Sequence, residues 1–205
     1  MLKQTYFSLI QKYADHPLVV EAMWAEIELS YSHPGRYYHT LAHLGDLLYR
    51  LREIKGMIQE WDVILFSIYY HDVVYNILKN DNEEKSAQLA NTRLNAIGVP
   101  GNLVQLCLQQ ILATKNHSPE TDPDTNHFTD ADLSILGQDW PRYSAYAANV
   151  RKEYAYYPDE QYNPGRKKVL EHFLQMKNIY KTDFFFQKFE NNARKNLQRE
   201  LEILL

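Results

Sequence analysis

Apolar residues recur at three- and four-residue steps along nearly the whole chain, and this spacing most narrows what the chain can fold into. It is the period of a helix with one buried face, whereas a half-buried strand would alternate. Gly and Pro number only 7 and 8 in 205 residues, too few to punctuate a succession of short strands. The expectation is an all-α, single-domain helical bundle over residues 1–205, with a motif-bearing core at about 36–155 and flanking helices at both ends.

Individual stripes give the elements. Tyr6, Leu9, Ile10 and Tyr13 form one, and Val20, Met23, Trp24 and Ile27 a second after a break at Asp15-His16-Pro17. Ser32-His33-Pro34-Gly35 reads as a loop, followed by a third helix with Leu44, Leu47, Leu48, Leu51 and Ile54 inward and His39 and His43 at its start. From Trp61 to Tyr70 almost every residue is apolar, so this helix should be buried on most sides and carry His71-Asp72 inward.

Further on, Asp81 and Glu84 read as a capping box ahead of Ala87, Ala90, Leu94 and Ile97. A sixth helix runs from about Leu103 to Thr114. The polar stretch between Lys115 and His127 reads as a loop and a candidate mobile lid, and Asp130 to Leu136 as a short helix ended by Gly137. Three more helices follow: one from Pro141 to Tyr154, one through Val169 to Met176, and one through Phe186 to Leu204.

Composition excludes several classes. A net charge of −4 argues against a broad nucleic-acid surface, and no stretch reaches the roughly 18 apolar residues of a membrane span. A cytoplasmic location is the default expectation, and homodimerisation is compatible with it. The single cysteine, Cys107, lies in an apolar run, which suits a buried thiol and rules out a disulfide framework within one chain. Neither a phosphate-binding G-x-x-x-x-G-K-[ST] loop, nor G-x-G-x-x-G, nor a G-x-S-x-G elbow occurs.

The polar residues that stand out are those a divalent ion favours. They are His39 and His43 four apart, the pair His71-Asp72 at the end of an oily helix, and Asp130 with Asp132. Spacing of four would put both histidines on one side of a helix, and a carboxylate carried into an apolar interior calls for compensation. Simpler readings fit each element alone. The histidines could be a hydrogen-bonded surface pair, His71-Asp72 a helix-end arrangement, and Asp130 or Asp132 an N-cap.

The order His43, then Tyr70-His71-Asp72, then Ala131-Asp132-Leu133 resembles the H…HD…D signature of the HD superfamily of metal-dependent phosphohydrolases. Longer runs are similar to bacterial HD phosphohydrolases of this chain's length: Arg36 to His43, His71 to Tyr75, Asp81 to Ala87, Phe128 to Gly137 and Val150 to Tyr154. The resemblance implies one divalent ion (Mn, Fe, Co, Ni, Zn or Mg) held by His43, His71, Asp72 and Asp132. It implies water-dependent cleavage of a small, nucleotide-like phosphate ester. By similarity to the His-x-x-x-His run of cyclic-nucleotide phosphodiesterases, His39 would be the general acid.

Around that core, Asp130 would orient water or a ligand histidine unless it is an N-cap, and Glu83 would be a catalytic carboxylate unless it belongs to the cap at Asp81–Glu84. Arg36 leads the substrate-binding candidates because guanidinium grips phosphate in a bidentate manner, with Lys115 and His117 behind it. Arg151, Glu153, Tyr154, Tyr162 and Arg166 are expected in buried ion pairs and tyrosine hydrogen bonds or as a pocket rim. His16, His33, His127 and His172 are expected at helix ends or on the surface. Two other classes stay open: a metal- and nucleotide-binding regulatory module without turnover, and an HD-fold enzyme of non-phosphatase chemistry.

Overall fold

The computed structural model of the protein describes residues 1–14 and 16–204; Asp15, in the break read before the second helix, lies outside them. Among the described residues there are ten α-helices, two short 3-10 turns and no strand. The chain divides into two compact units, 1–129 and 130–205. No described helix is long and apolar enough to cross a membrane.

The first unit holds α1 (Leu2–Ile10), α2 (Pro17–Tyr31), α3 (Leu41–Glu53), a 3-10 turn (Lys55–Met57), α4 (Trp61–Tyr70), α5 (Asn82–Ala96), α6 (Gly101–Ala113) and the start of α7 (Pro123–Asp132). The near-continuous apolar run of α4 makes it the central element. Every residue from Val63 to Tyr70 is buried, and α1, α3, α5 and α6 pack around it. Each such Leu, Ile or Phe contributes about 1.5–3 kcal/mol on burial.

Polar atoms drawn in with α4 are satisfied. The Ser67 hydroxyl donates to Gln110 Oε1 at 2.7 Å, and the Tyr6 and Tyr70 hydroxyls meet at 3.1 Å. Burial raises both tyrosines well above their ordinary range and pushes the Cys107 thiol up to about 12, so Cys107 is the inert core thiol its setting suggested. A bidentate pair, Arg93 to Glu26 at 2.7 and 2.8 Å, ties α5 to α2.

Two local readings are corrected here. Asp81 makes no cap hydrogen bond; its carboxylate pairs with Lys85 at 2.9 Å, and Glu84 pairs with Lys115 instead of reaching back to residue 81. The candidate lid after Lys115 is shorter than expected, because α7 begins at Pro123. Asp122 accepts from the Thr125 amide at 2.8 Å and hydroxyl at 2.6 Å, the contacts that start a helix. Asp124, only 2% exposed, accepts the Gln59 and Glu60 amides at the start of α4.

The second unit comprises the last residues of α7, a 3-10 turn (Leu133–Gly137), α8 (Trp140–Glu153), α9 (Asp159–Gln175) and α10 (Asp183–Ile203). The short helix read at Asp130–Leu136 is thus the end of a longer helix followed by a 3-10 turn. Asp139 caps α8 by accepting from the Arg142 amide at 3.0 Å, and Pro141 sits in its first turn. At Gly137 a side chain has no room: a Cβ would lie 2.5 Å from Phe189 Cβ and 2.7 Å from its carbonyl oxygen.

Buried charge in this unit is paired at Arg166, Glu190 and Glu200. Arg166 grips Glu200 with two bonds of 2.7 and 2.9 Å, and Tyr143 donates its hydroxyl to the same carboxylate. Glu190 accepts the Ile179 and Tyr180 amides and the Arg194 guanidinium. Arg151 pairs with Asp159 at 2.7 Å and lies over the Tyr162 ring, but Asp159 is exposed, so this is not one of the buried ion pairs expected.

Candidate metal centre

The site begins where α3 and α4 bring opposite ends together. The Thr40 hydroxyl accepts from the Ala42 amide at 3.3 Å, so α3 starts at Leu41 and turns His43 inward within its first turn. His43 is 5% exposed and His71, at the C-cap of α4, 1%. His39 precedes the cap and is therefore not helical, which corrects the expectation that it shares a helix face with His43. The loop nevertheless returns it, and the two rings lie 5.9 Å apart.

Two possible ligand atoms meet, and a third lies beside one of them. His43 Nε2 and His71 Nε2 are 3.2 Å apart, and Asp72 Oδ2 is 3.2 Å from His71 Nε2. Two nitrogens bonded to one cation at about 2.0–2.1 Å lie roughly 3.0 Å apart at a right angle and 3.4 Å at a tetrahedral angle. The observed separation falls between these limits, so the two imidazoles fit one shared metal ion.

The tautomer sharpens the fit. His71 Nδ1 lies 3.0 Å from the Ile68 carbonyl oxygen, which can only accept, so Nδ1 carries the hydrogen. On a neutral ring Nε2 then presents a lone pair toward the Asp72 carboxylate. Two acceptors at 3.2 Å repel unless a cation, proton or metal, sits between them. A backbone carbonyl on the far nitrogen is also how metal-ligating histidines are usually oriented.

Aromatic rings wall the site. Tyr38 lies 5.0 Å from His43, Phe128 meets His71 edge-on at 5.7 Å, and Tyr75 lies against His39 at 4.4 Å. His39 Nε2 is 3.9 Å from Asp72 Oδ2, and its side chain is about one-fifth exposed. With Asp72 it forms the more exposed edge of the cluster.

Arg36 is engaged with the backbone. Its guanidinium donates to the carbonyls of Asp72 (2.7 Å), Val73 (3.0 Å) and His39 (3.2 Å), and it sits against the rings of Tyr31 and Tyr75. With three backbone acceptors to serve, it fastens the His39 and Asp72 segments to each other. The Asp72 amide donates to Tyr31 Oη at 3.2 Å, and the Ser86 hydroxyl bridges the Val74 amide and carbonyl. Tyr31 and Ser86 went unnoticed in the sequence. Tyr31 ends an apolar stripe, and only the small polar Ser86 beside buried Ala87 hinted at a specific contact.

The remaining candidates make contacts of their own. Lys115 donates to the Asn80 carbonyl at 2.7 Å and to Glu84, and lies 3.9 Å from Glu83, so it is engaged in an exposed charge cluster. Hydrogen bonding to Lys115 lowers Glu84 below the usual carboxylate range, and the same bond raises Lys115. Glu83 stands in the first turn of α5, where a carboxylate complements the helix dipole. His117 has a positive φ of 52° and donates its amide to Ala113 O, closing the end of α6.

In the second unit, Asp130 is fully buried near the C-terminal end of α7, so it is not an N-cap of that helix. Its carboxylate accepts the amides of Lys181 and Thr182, accepts the Thr182 hydroxyl at 2.7 Å, and pairs with Lys181 Nζ at 2.9 Å. It fixes the entry to α10. Asp132, the last residue of α7, is half-buried. Of the histidines set aside as peripheral, His127 is instead buried.

Comparison with protein-family models, curated proteins and solved structures found no match for this chain.

Proposed function

We propose that the chain is a metal-dependent phosphohydrolase of the HD type, acting on a small phosphate ester. The observation that carries this reading is the 3.2 Å approach of His43 Nε2 to His71 Nε2, with the Asp72 carboxylate beside His71. His43, His71 and Asp132 are a donor set that could hold a divalent ion. Asp132 follows Phe128 by four residues on α7, a spacing that keeps both on one helix face, and Phe128 packs on His71. This supports Asp132 as a ligand alongside Asp72.

Two imidazoles and two carboxylates without sulfur suit Mn, Fe, Co, Ni, Zn or Mg. A bound ion of this kind supplies a water acidic enough to attack phosphorus near neutral pH and offsets charge on the phosphoryl oxygens. The chain's own residues do the rest. His71 is held by the Ile68 carbonyl with Nε2 turned inward, and Asp72 is held by Tyr31 and Arg36. His39, braced on Tyr75 and partly exposed, stands where it can give a proton to the departing oxygen.

The test combines elemental analysis with a screen of phosphomonoesters, nucleotides and cyclic nucleotides under several divalent ions. Wild type should carry stoichiometric metal and hydrolyse at least one class, and Asp72→Ala should lose both. Full turnover by Asp72→Ala would overturn the mechanism. Stoichiometric metal without any turnover would favour the regulatory-module reading.

A further inference from the structure

At the end of α3 and α4 opposite the histidines, a cavity of about 490 Å³ opens between α1, the C-terminal turn of α3 and the start of α4. Its lining includes Lys12, Arg52 and Lys55, the hydroxyls of Thr5 and Ser8, and Trp61, and no carboxylate. The whole chain carries a net charge of −4, so three cations lining one concavity run against its general charge.

The partners of these cations show which charge is left uncompensated. Lys12 is neutralised by Asp62 at 2.6 Å. Arg52 makes only neutral contacts, to Thr5 Oγ1 and Met1 Sδ, both at 3.0 Å. Lys55 lies over the Trp61 ring at 5.2 Å. Among the described residues neither Arg52 nor Lys55 faces a carboxylate. A guanidinium, an ammonium and two hydroxyls around one space are the donors that grip phosphate oxygens, the guanidinium by two parallel bonds.

The geometry points to a second ligand site here, for a phosphorylated small molecule carrying at least two negative charges. It is separate from the candidate metal centre. Trp61 and His71 stand at opposite ends of α4, which at 1.5 Å per residue puts them about 15 Å apart. An anion bound here would link α1 to the α3–α4 pair that carries His43 and His71, making it an effector site on the same scaffold.

Calorimetric titration of the full chain with inorganic pyrophosphate at fixed ionic strength tests this. Wild type should bind saturably. The double variant Arg52→Gln/Lys55→Gln and the single variant Ser8→Glu, all at exposed positions, should bind at least tenfold more weakly with unchanged circular dichroism. His71→Ala, which removes a proposed metal ligand, should bind as wild type does. Absence of saturable binding at millimolar pyrophosphate would overturn the proposal, as would equal binding by the pocket variants. Loss of binding in His71→Ala alone would place the anion at the metal centre instead.

Discussion

Replacing Asp130 separates architecture from chemistry. This carboxylate is fully buried and receives two backbone amides, the Thr182 hydroxyl and the Lys181 ammonium. Hydrogen bonds to a charged group are worth about 1.5–3 kcal/mol each, and removing one partner of a buried ion pair costs about 3–5 kcal/mol. Asp130→Ala should therefore lose about 3–5 kcal/mol. Asp130→Asn, which keeps one acceptor but discards the charge facing Lys181, should lose about 2–3 kcal/mol. These are large fractions of the roughly 5–15 kcal/mol that holds a typical domain. Urea unfolding followed by circular dichroism should show the midpoint falling in that order, with metal content per folded chain equal to wild type. An unchanged midpoint combined with lost metal or turnover would refute the structural assignment and return Asp130 to the site.

Four further outcomes follow from the same geometry. Arg36→Lys keeps the charge but loses the fork that serves three carbonyls; it should destabilise by about 2–3 kcal/mol in urea and let metal dissociate faster under chelator. Gly137→Ala drives a methyl into the Phe189 backbone and should cost about 1–3 kcal/mol or more, read in the same unfolding assay. Cys107, with its thiol raised to about 12 by burial, should resist a disulfide reagent at pH 8 and react only in denaturant; reaction in the native protein would contradict its burial. Glu84 is lowered by its bond to Lys115, so its contribution is present above the unfolded carboxylate pKa and is lost as pH falls through the lower folded value. Lys115→Ala should remove that acid dependence from the stability profile.

The helical period foretold the elements well, because a stripe such as Leu44, Leu47, Leu48 and Leu51 has only one way to be buried. Ends were less legible. Thr40 caps α3 and leaves His39 outside it, and Asp122 starts α7 inside what reads as a polar loop. Both depend on one side-chain bond that composition does not reveal.

At the site, His71 was legible because an oily helix carried it inward. The bond from Arg36 to Asp72 spans 36 positions and is invisible to local pattern. A guanidinium near a histidine reads equally as a phosphate ligand or as a clasp on backbone carbonyls. Asp130 and Asp132 look alike in sequence, and only the loop at Lys181–Thr182 distinguishes them.

The sharpest trial of a shared cation at His43 and His71 is elemental analysis of purified wild type, His43→Ala and His71→Ala, each confirmed folded. The account predicts a single divalent ion per wild-type chain and a nearly metal-free state in both variants. Equal metal in all three, or none in wild type after growth and dialysis with Mn, Fe, Co, Ni, Zn and Mg each supplied, would contradict it.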